Sequence, residues 1–230
     1  SLDFEQAKAL VEYAAQQNLM LHIEHIELLS GVHRSAQEYL SQIGTPLRAR
    51  YATQSPQRPV PDKWTYMPDL FGFPLVASVS RIHRLTYLFG KVKSISCQLS
   101  YRGEALPEKF SNCICTAQLQ FENGVHAEVG YAKGEYIWKQ ERILEIEGTE
   151  GGLFFVGEKG KLITATGETE ITAAASKGLF KLDTEAVIDH LENGKSLYTQ
   201  SNHALYALGV ASAAARSVAS GQTVNIDFDY

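Results

Sequence analysis

The chain is short of the features that mark several large classes of protein. It contains no apolar run near the roughly 20 residues of a membrane-spanning helix, and its first residues do not read as a basic, apolar, small-residue leader. A soluble, cytoplasmic protein is the expectation. Cysteine is scarce: Cys97, Cys113 and Cys115 are an odd number without metal-ligand spacing. They exclude a disulfide framework and read as structural, and no metal is expected. Basic charge is not in excess either. A net charge of −5 and a pI near 5.8 argue against a nucleic-acid surface or an anionic membrane as the partner. Finally, no G-x-G-x-x-G follows a strand and no G-x-x-x-x-G-K-[ST] occurs, so neither familiar route to a phosphate cradle is present. Gly151-Gly152 and the pair Gly157 and Gly160 lie between strand-like runs and read as turn glycines.

What is present is enough apolar residue to build a core. At 44% hydrophobic over 230 residues, the chain supports one large domain or one and a half ordinary ones. Residues 3–17 have helical spacing, with Asp3 as N-cap. "LMLHIEHIELL" (Leu19–Leu29) reads as a strand carrying His22 and Glu24 on one face and His25 and Glu27 on the other. A helix from Gly31 to Ile43 closed by Gly44, then a strand from Leu47 to Gln54, complete an α/β opening. A proline-rich loop with Trp64 and Tyr66 follows, then a single helix from Pro74 to a stop at Gly90. From Lys91 to Thr172 alternating runs broken by Asn123-Gly124 and other glycines predict about six strands, largely antiparallel. Two closing helices are expected, one capped by Asp183 and ended by Gly194, the other capped by Ser201 or Asn202 and ended by Gly221.

The residues that carry chemistry are few. "HIEH" is not a zincin-type site, because its histidines are three apart on a presumed strand rather than four apart on a helix. Glu24, His25 and Glu27 instead fall where strands of an open α/β sheet end, and ligands sit there. In "PLVASVSRIHRLTYLF", Leu75, Val79, Ile82 and Thr86 share one stripe, while Arg81 and Arg84 lie together off it. Two arginines three apart can grip carboxylates bidentately. Tyr101, His126, Glu128, Tyr131, Lys133 and Trp138 decorate the strands, and half of an antiparallel sheet is ordinarily solvated, so these read as structural.

Taken together, the α/β opening, the proline-rich link, a helix ending in Leu-Phe-Gly, the antiparallel sheet and the closing helices resemble the C-terminal part of Gfo/Idh/MocA-type oxidoreductases. Within that superfamily, "LHIEHIELLSGVH", "KWTY", "FGFPLVASVSRIHRLTYLFG", "GLFKLDTEAVIDHL" and "ALYALGVA" closely resemble the cyanobacterial biliverdin reductase family, over nearly the whole chain. The resemblance implies an α+β fold: a roughly six-stranded sheet with helices on one face over residues 29–230, preceded by a remnant of a Rossmann domain over 1–28. That opening would be the least stable part. Sugar and polyol dehydrogenases of this fold carry an aspartate and a histidine where Val76 and Ser80 stand here, so their acid–base pair is missing. The implied reaction is reduction of biliverdin by NADPH or NADH at the central methine carbon. Arg81 would be the catalytic residue, and Glu24, His25, Glu27 and Arg84 would line the junction of cofactor and pigment. Trp64, Tyr66 and Phe73 would touch the flat pigment. The dinucleotide fingerprint would lie outside these residues, leaving this chain as the substrate-binding part. Two other classes stay open: a sugar or polyol dehydrogenase domain, and a non-catalytic module that binds or self-associates through the open sheet face.

Overall fold

The computed structural model describes residues 2–174 and 177–228. Helix α1 (Phe4–Gln16) begins where the Asp3 carboxylate accepts from the Gln6 backbone at 2.8 Å, the cap its short acidic side chain favours. It buries none of its residues fully. The next stretch departs from expectation. Residues 19–25 form no strand but an irregular connection into one 3₁₀ turn, Ile26–Leu29. The cause is capture by hydrogen-bond partners, two of them distant in sequence. His22 Nε2 lies 2.7 Å from Asp183 Oδ1, the His25 N–H donates to the Tyr198 hydroxyl at 3.0 Å, and the Glu24 carboxylate accepts from the Ile26 N–H at 2.8 Å. These contacts stand in for a strand ladder, and the face assignment made from alternation does not hold.

Helix α2 (Gly31–Tyr39) is capped by Ser30, continues as a 3₁₀ turn through Ile43, and stops at Gly44 with φ +73°. Strand β1 is Pro46–Pro56. Beyond it lie a 3₁₀ turn at Trp64–Tyr66 and three helices: α3 (Pro68–Phe71), α4 (Pro74–Ala77) and α5 (Ser80–Phe89). The single helix expected from Pro74 is therefore broken. At Ser78 the hydroxyl donates to the Pro74 carbonyl at 2.5 Å, a local side-chain bond that competes with helix continuation, and the chain turns before α5 begins.

Among the described residues the sheet has nine strands, seven of them between Lys91 and Thr172 where about six were expected: β1, β2 (Val92–Arg102), β3 (Asn112–Phe121), β4 (His126–Gly134), β5 (Glu141–Gly148), β6 (Gly151–Val156), β7 (Lys159–Thr164), β8 (Gly167–Thr172) and β9 (Val224–Asn225). Their order is β8-β7-β6-β5-β1-β4-β3-β2-β9. Strand β1 enters the middle, parallel to β4 and antiparallel to β5. Hairpin glycines announce β2–β8, but a parallel pairing made across some 78 residues leaves no turn signal. Helices α6 (Leu179–Asn193) and α7 (Ser201–Ser220) close the fold. Asp183 is not a cap: α6 starts at Leu179 behind a left-handed Gly178, and Asp183 sits a turn inside, holding His22. Gln200 occupies the N-cap position of α7, not Ser201 or Asn202.

Helices α5 and α7 cover one face of the sheet. Ala204, Ala207, Ala211 and Ala214 are buried on α7, and their small side chains bring it close to β2. There Tyr206 accepts from the Val92 N–H at 2.8 Å and Ser217 from the Cys97 N–H at 2.9 Å. No described helix is long and apolar enough to cross a membrane.

Candidate functional site

The register lays the site out in rows. Along β1, Ala49, Tyr51 and Thr53 are buried toward the helices. On the other face Arg50 pairs with Glu128 at 3.1 Å, Glu141 at 3.6 Å and Glu145 at 3.8 Å. Across the helix-side face the row through Tyr51 reads Cys97, Ala117, Val129, Tyr51, Leu144. It is buried throughout. Two residues along, the row reads Leu99, Cys115, Tyr131, Thr53, Arg142. Polarity begins here, toward the C-terminal ends of the parallel pair β1 and β4, where ligands collect in sheets with parallel strands.

Helix α5 delivers Arg81 to this row. Its Nε donates to Thr53 Oγ1 at 3.0 Å, and its guanidinium carbon stands 5.3 Å from the centroid of the Tyr131 ring. Among the described residues no carboxylate lies within ion-pair distance of it, and the side chain is half-buried. A cation held by a hydroxyl and an aromatic face, without a protein counter-ion, suits an anionic ligand.

Arg84 does something else. It is 2% exposed, and one terminal nitrogen donates to the Glu27 carboxylate at 2.7 Å, the Glu27 carbonyl at 2.8 Å and Ser30 Oγ at 2.8 Å. The expected two-arginine grip therefore does not form, since Glu27 and Ser30 hold Arg84 inside the protein. Glu27 is the hub. Tyr51 donates to it at 3.3 Å, Arg142 pairs with its other oxygen, and Arg81 acts on it at longer range. Burial opposes its ionisation, but Arg84 and Arg142 outweigh burial and hold the carboxyl below its ordinary range. A cleft of about 280 Å³ opens beside this hub, between Tyr51, Arg84, Arg142 and Phe155.

The remaining expected residues are dispersed. His25 is buried, its ring edge-on to His83 at 4.1 Å, and burial followed by the charge of His22 pushes its pKa down to about 4. Glu24 is exposed and caps Ile26. Phe73 is half-buried and packs on the main core. Trp64 is 59% exposed, while Tyr66 is buried in a second aromatic cluster with Phe71, Phe110 and Cys113. That cluster meets the site through Phe71, whose ring stacks on Tyr131 at 6.1 Å and 26°. Thr53, Tyr131 and Arg142 were missed from sequence. Each looks like an ordinary strand residue, and only the pairing of β1 with both β4 and β5 aligns them.

Among the described residues no group of three or more His, Cys, Asp and Glu is arranged to hold a metal. A second cleft, about 440 Å³, runs between α1, residues 19–25, α4 and α7. Its lining is apolar apart from His25 and Tyr13, with no lysine or arginine. It does not fit the pyrophosphate of a dinucleotide, which needs cations or converging backbone N–H groups.

Residues 40–226 match the family model described as the oxidoreductase family, C-terminal alpha/beta domain (GFO_IDH_MocA_C). The chain belongs to this Gfo/Idh/MocA oxidoreductase family. Among solved structures it is similar to biliverdin reductase from Synechocystis sp. PCC 6803, crystallised with biliverdin and NADP+. The identity is 46% and the TM-score 0.92, covering 95% of this chain and 69% of that one. It also shares the fold of an oxidoreductase from Agrobacterium radiobacter, crystallised with NAD+, L-tartaric acid and magnesium (17% identity, TM-score 0.79, 97% and 70% covered). An NAD binding oxidoreductase from Klebsiella pneumoniae is comparable (16% identity, TM-score 0.82, 100% and 72% covered). A comparison with curated proteins returns no match. The α+β class expected from sequence holds, with a larger and mixed sheet.

Proposed function

We propose that this chain is the pigment-binding part of an NAD(P)H-dependent biliverdin reductase, in which the central methine carbon of biliverdin gains a hydride and a pyrrole nitrogen gains a proton. The observation that carries the reading is Arg81: a half-buried cation with no carboxylate within ion-pair distance among the described residues, on an aromatic face, in a chain 46% identical to a reductase crystallised with that pigment. Residues 1–28 are read as the end of a nucleotide-binding domain and 29–230 as the substrate domain.

The division of labour follows from the geometry. Thr53 and Tyr131 fix the Arg81 guanidinium over the sheet, where it takes a propionate of the pigment bidentately. A guanidinium has a pKa above about 12 and is a poor acid, so its part is to stabilise charge and to hold a proton-bearing carboxyl in place. The Glu27, Arg84 and Arg142 hub keeps the floor beside it rigid. Trp64, 59% exposed, offers a ring face to the flat pigment, and the buried Phe71 backs the Tyr131 ring. Polyol oxidation has no support at these positions, because Val76 on α4 and Ser80 on α5 supply neither an acid nor a base.

The test is turnover. The protein carrying a complete nucleotide-binding domain is given biliverdin and NADPH or NADH, and formation of the yellow product is followed by absorbance. Turnover lost in Arg81→Ala supports the reading; turnover of a polyol with no change in biliverdin would replace it.

A further inference from the structure

Lys133 is a buried charge without an obvious counterpart. It lies on β4, 6% exposed, and among the described residues no carboxylate stands within ion-pair distance. Burial pushes its ammonium down to about 8. A methionine or leucine would fill the same space without the desolvation cost. What surrounds the ammonium suggests why a lysine is there. The Thr65 carbonyl accepts from its Nζ, and four ring centroids surround it: Phe71 at 3.7 Å, Tyr66 at 4.5 Å, Phe110 at 5.1 Å and Tyr131 at 6.0 Å. Ring faces attract a cation most strongly where water is excluded.

Thr65, Tyr66 and Phe71 all belong to the segment joining β1 to α4, which is not part of the sheet. Phe71 in turn stacks on Tyr131, and Tyr131 lies beneath Arg81. We propose that Lys133 is a positioning residue, whose buried ammonium fastens the Trp64–Phe71 segment to the sheet and so sets the Phe71, Tyr131 and Arg81 stack that forms the pigment-facing wall. The clamp stands on its own geometry, and its consequence for pigment rests on the function proposed above.

Three proteins decide it: the 230-residue chain, Lys133→Met and Lys133→Arg. Each is examined by hydrogen–deuterium exchange, thermal melting and biliverdin titration. With Lys133→Met, amides 64–72 should exchange about tenfold faster and pigment affinity should fall by about tenfold. The melting midpoint should hold or rise, because an apolar side chain suits a buried cage. Lys133→Arg, which keeps the charge, should restore most of both. Unchanged protection of 64–72 in Lys133→Met overturns the proposal. So does protection lost evenly across the sheet and α7, the mark of a merely structural lysine. If the unmodified chain does not bind biliverdin, the exchange data still decide the clamp, and it is the pigment reading that fails.

Discussion

Arg81 donates from Nε to the Thr53 hydroxyl at 3.0 Å, joining helix α5 to strand β1, which runs parallel to β4. Three residues on, Arg84 turns the other way into the protein and is consumed by Glu27 and Ser30. Two side chains of the same type on one helix thus do different work, one held ready for a ligand and one holding the fold.

Removing the second should cost stability rather than ligand recognition. Arg84→Met leaves Arg142 as the remaining ion-pair partner of Glu27 and takes the cation from a site 2% exposed. Breaking such a buried pair costs about 3 kcal/mol. In a domain of this size the melting midpoint should fall by about 6–12 °C. Thermal denaturation of the variant checks this, and a shift under about 2 °C would show that Arg142 alone suffices.

Stability should also fall on acidification earlier than carboxylates alone require. His25, His33 and His83 are buried, and desolvation first, then neighbouring charges, lowers their pKa values to about 4, 3 and 3. Each folded value lies below the unfolded one of about 6.5. The unfolded chain therefore binds protons that the folded chain refuses. Stability is full above pH 6.5 and is lost as pH falls toward 4, by about 2 kcal/mol per histidine at pH 5. Glu27, also lowered, adds to the loss below its ordinary range. Denaturant midpoints measured from pH 8 to 5 should drop steadily, and less in His83→Phe. A flat profile down to pH 5 would show the histidines titrating as if exposed.

Gly31 should tolerate no side chain. A Cβ there would stand 2.3 Å from the Ala174 carbonyl oxygen and 2.4 Å from its nitrogen, both backbone atoms that cannot swing aside. Gly31→Ala should destabilise the chain by at least about 2 kcal/mol, although alanine is the better helix former. Its urea midpoint reads this directly, and a midpoint equal to or above that of the unmodified chain would mean that α2 shifts without cost.

Much of this architecture is legible from local pattern. The Gly44, Gly90, Gly194 and Gly221 stops fall where expected, all at positive φ, and Asp3 caps α1. What failed was partly long-range and partly local. His22, Glu24 and His25 mimic strand alternation, yet Asp183 and Tyr198, the partners of His22 and of the His25 backbone, lie more than 160 residues away. Ser78 breaks a run that reads as continuous helix because its hydroxyl finds a backbone carbonyl one turn back. The site was half visible. Arg81 stands out as a cation among apolar neighbours, whereas Thr53, Tyr131 and Lys133 acquire meaning only once β1 lies beside β4.

The most direct measurement is a visible absorbance and induced circular dichroism titration of the 230-residue chain with biliverdin, alongside Arg81→Ala and Arg81→Lys. The expected result is saturable binding, weakened by about tenfold or more in Arg81→Ala as a charge-assisted bidentate contact is lost, with partial recovery in Arg81→Lys. Equal affinity in all three proteins would contradict the role given to Arg81.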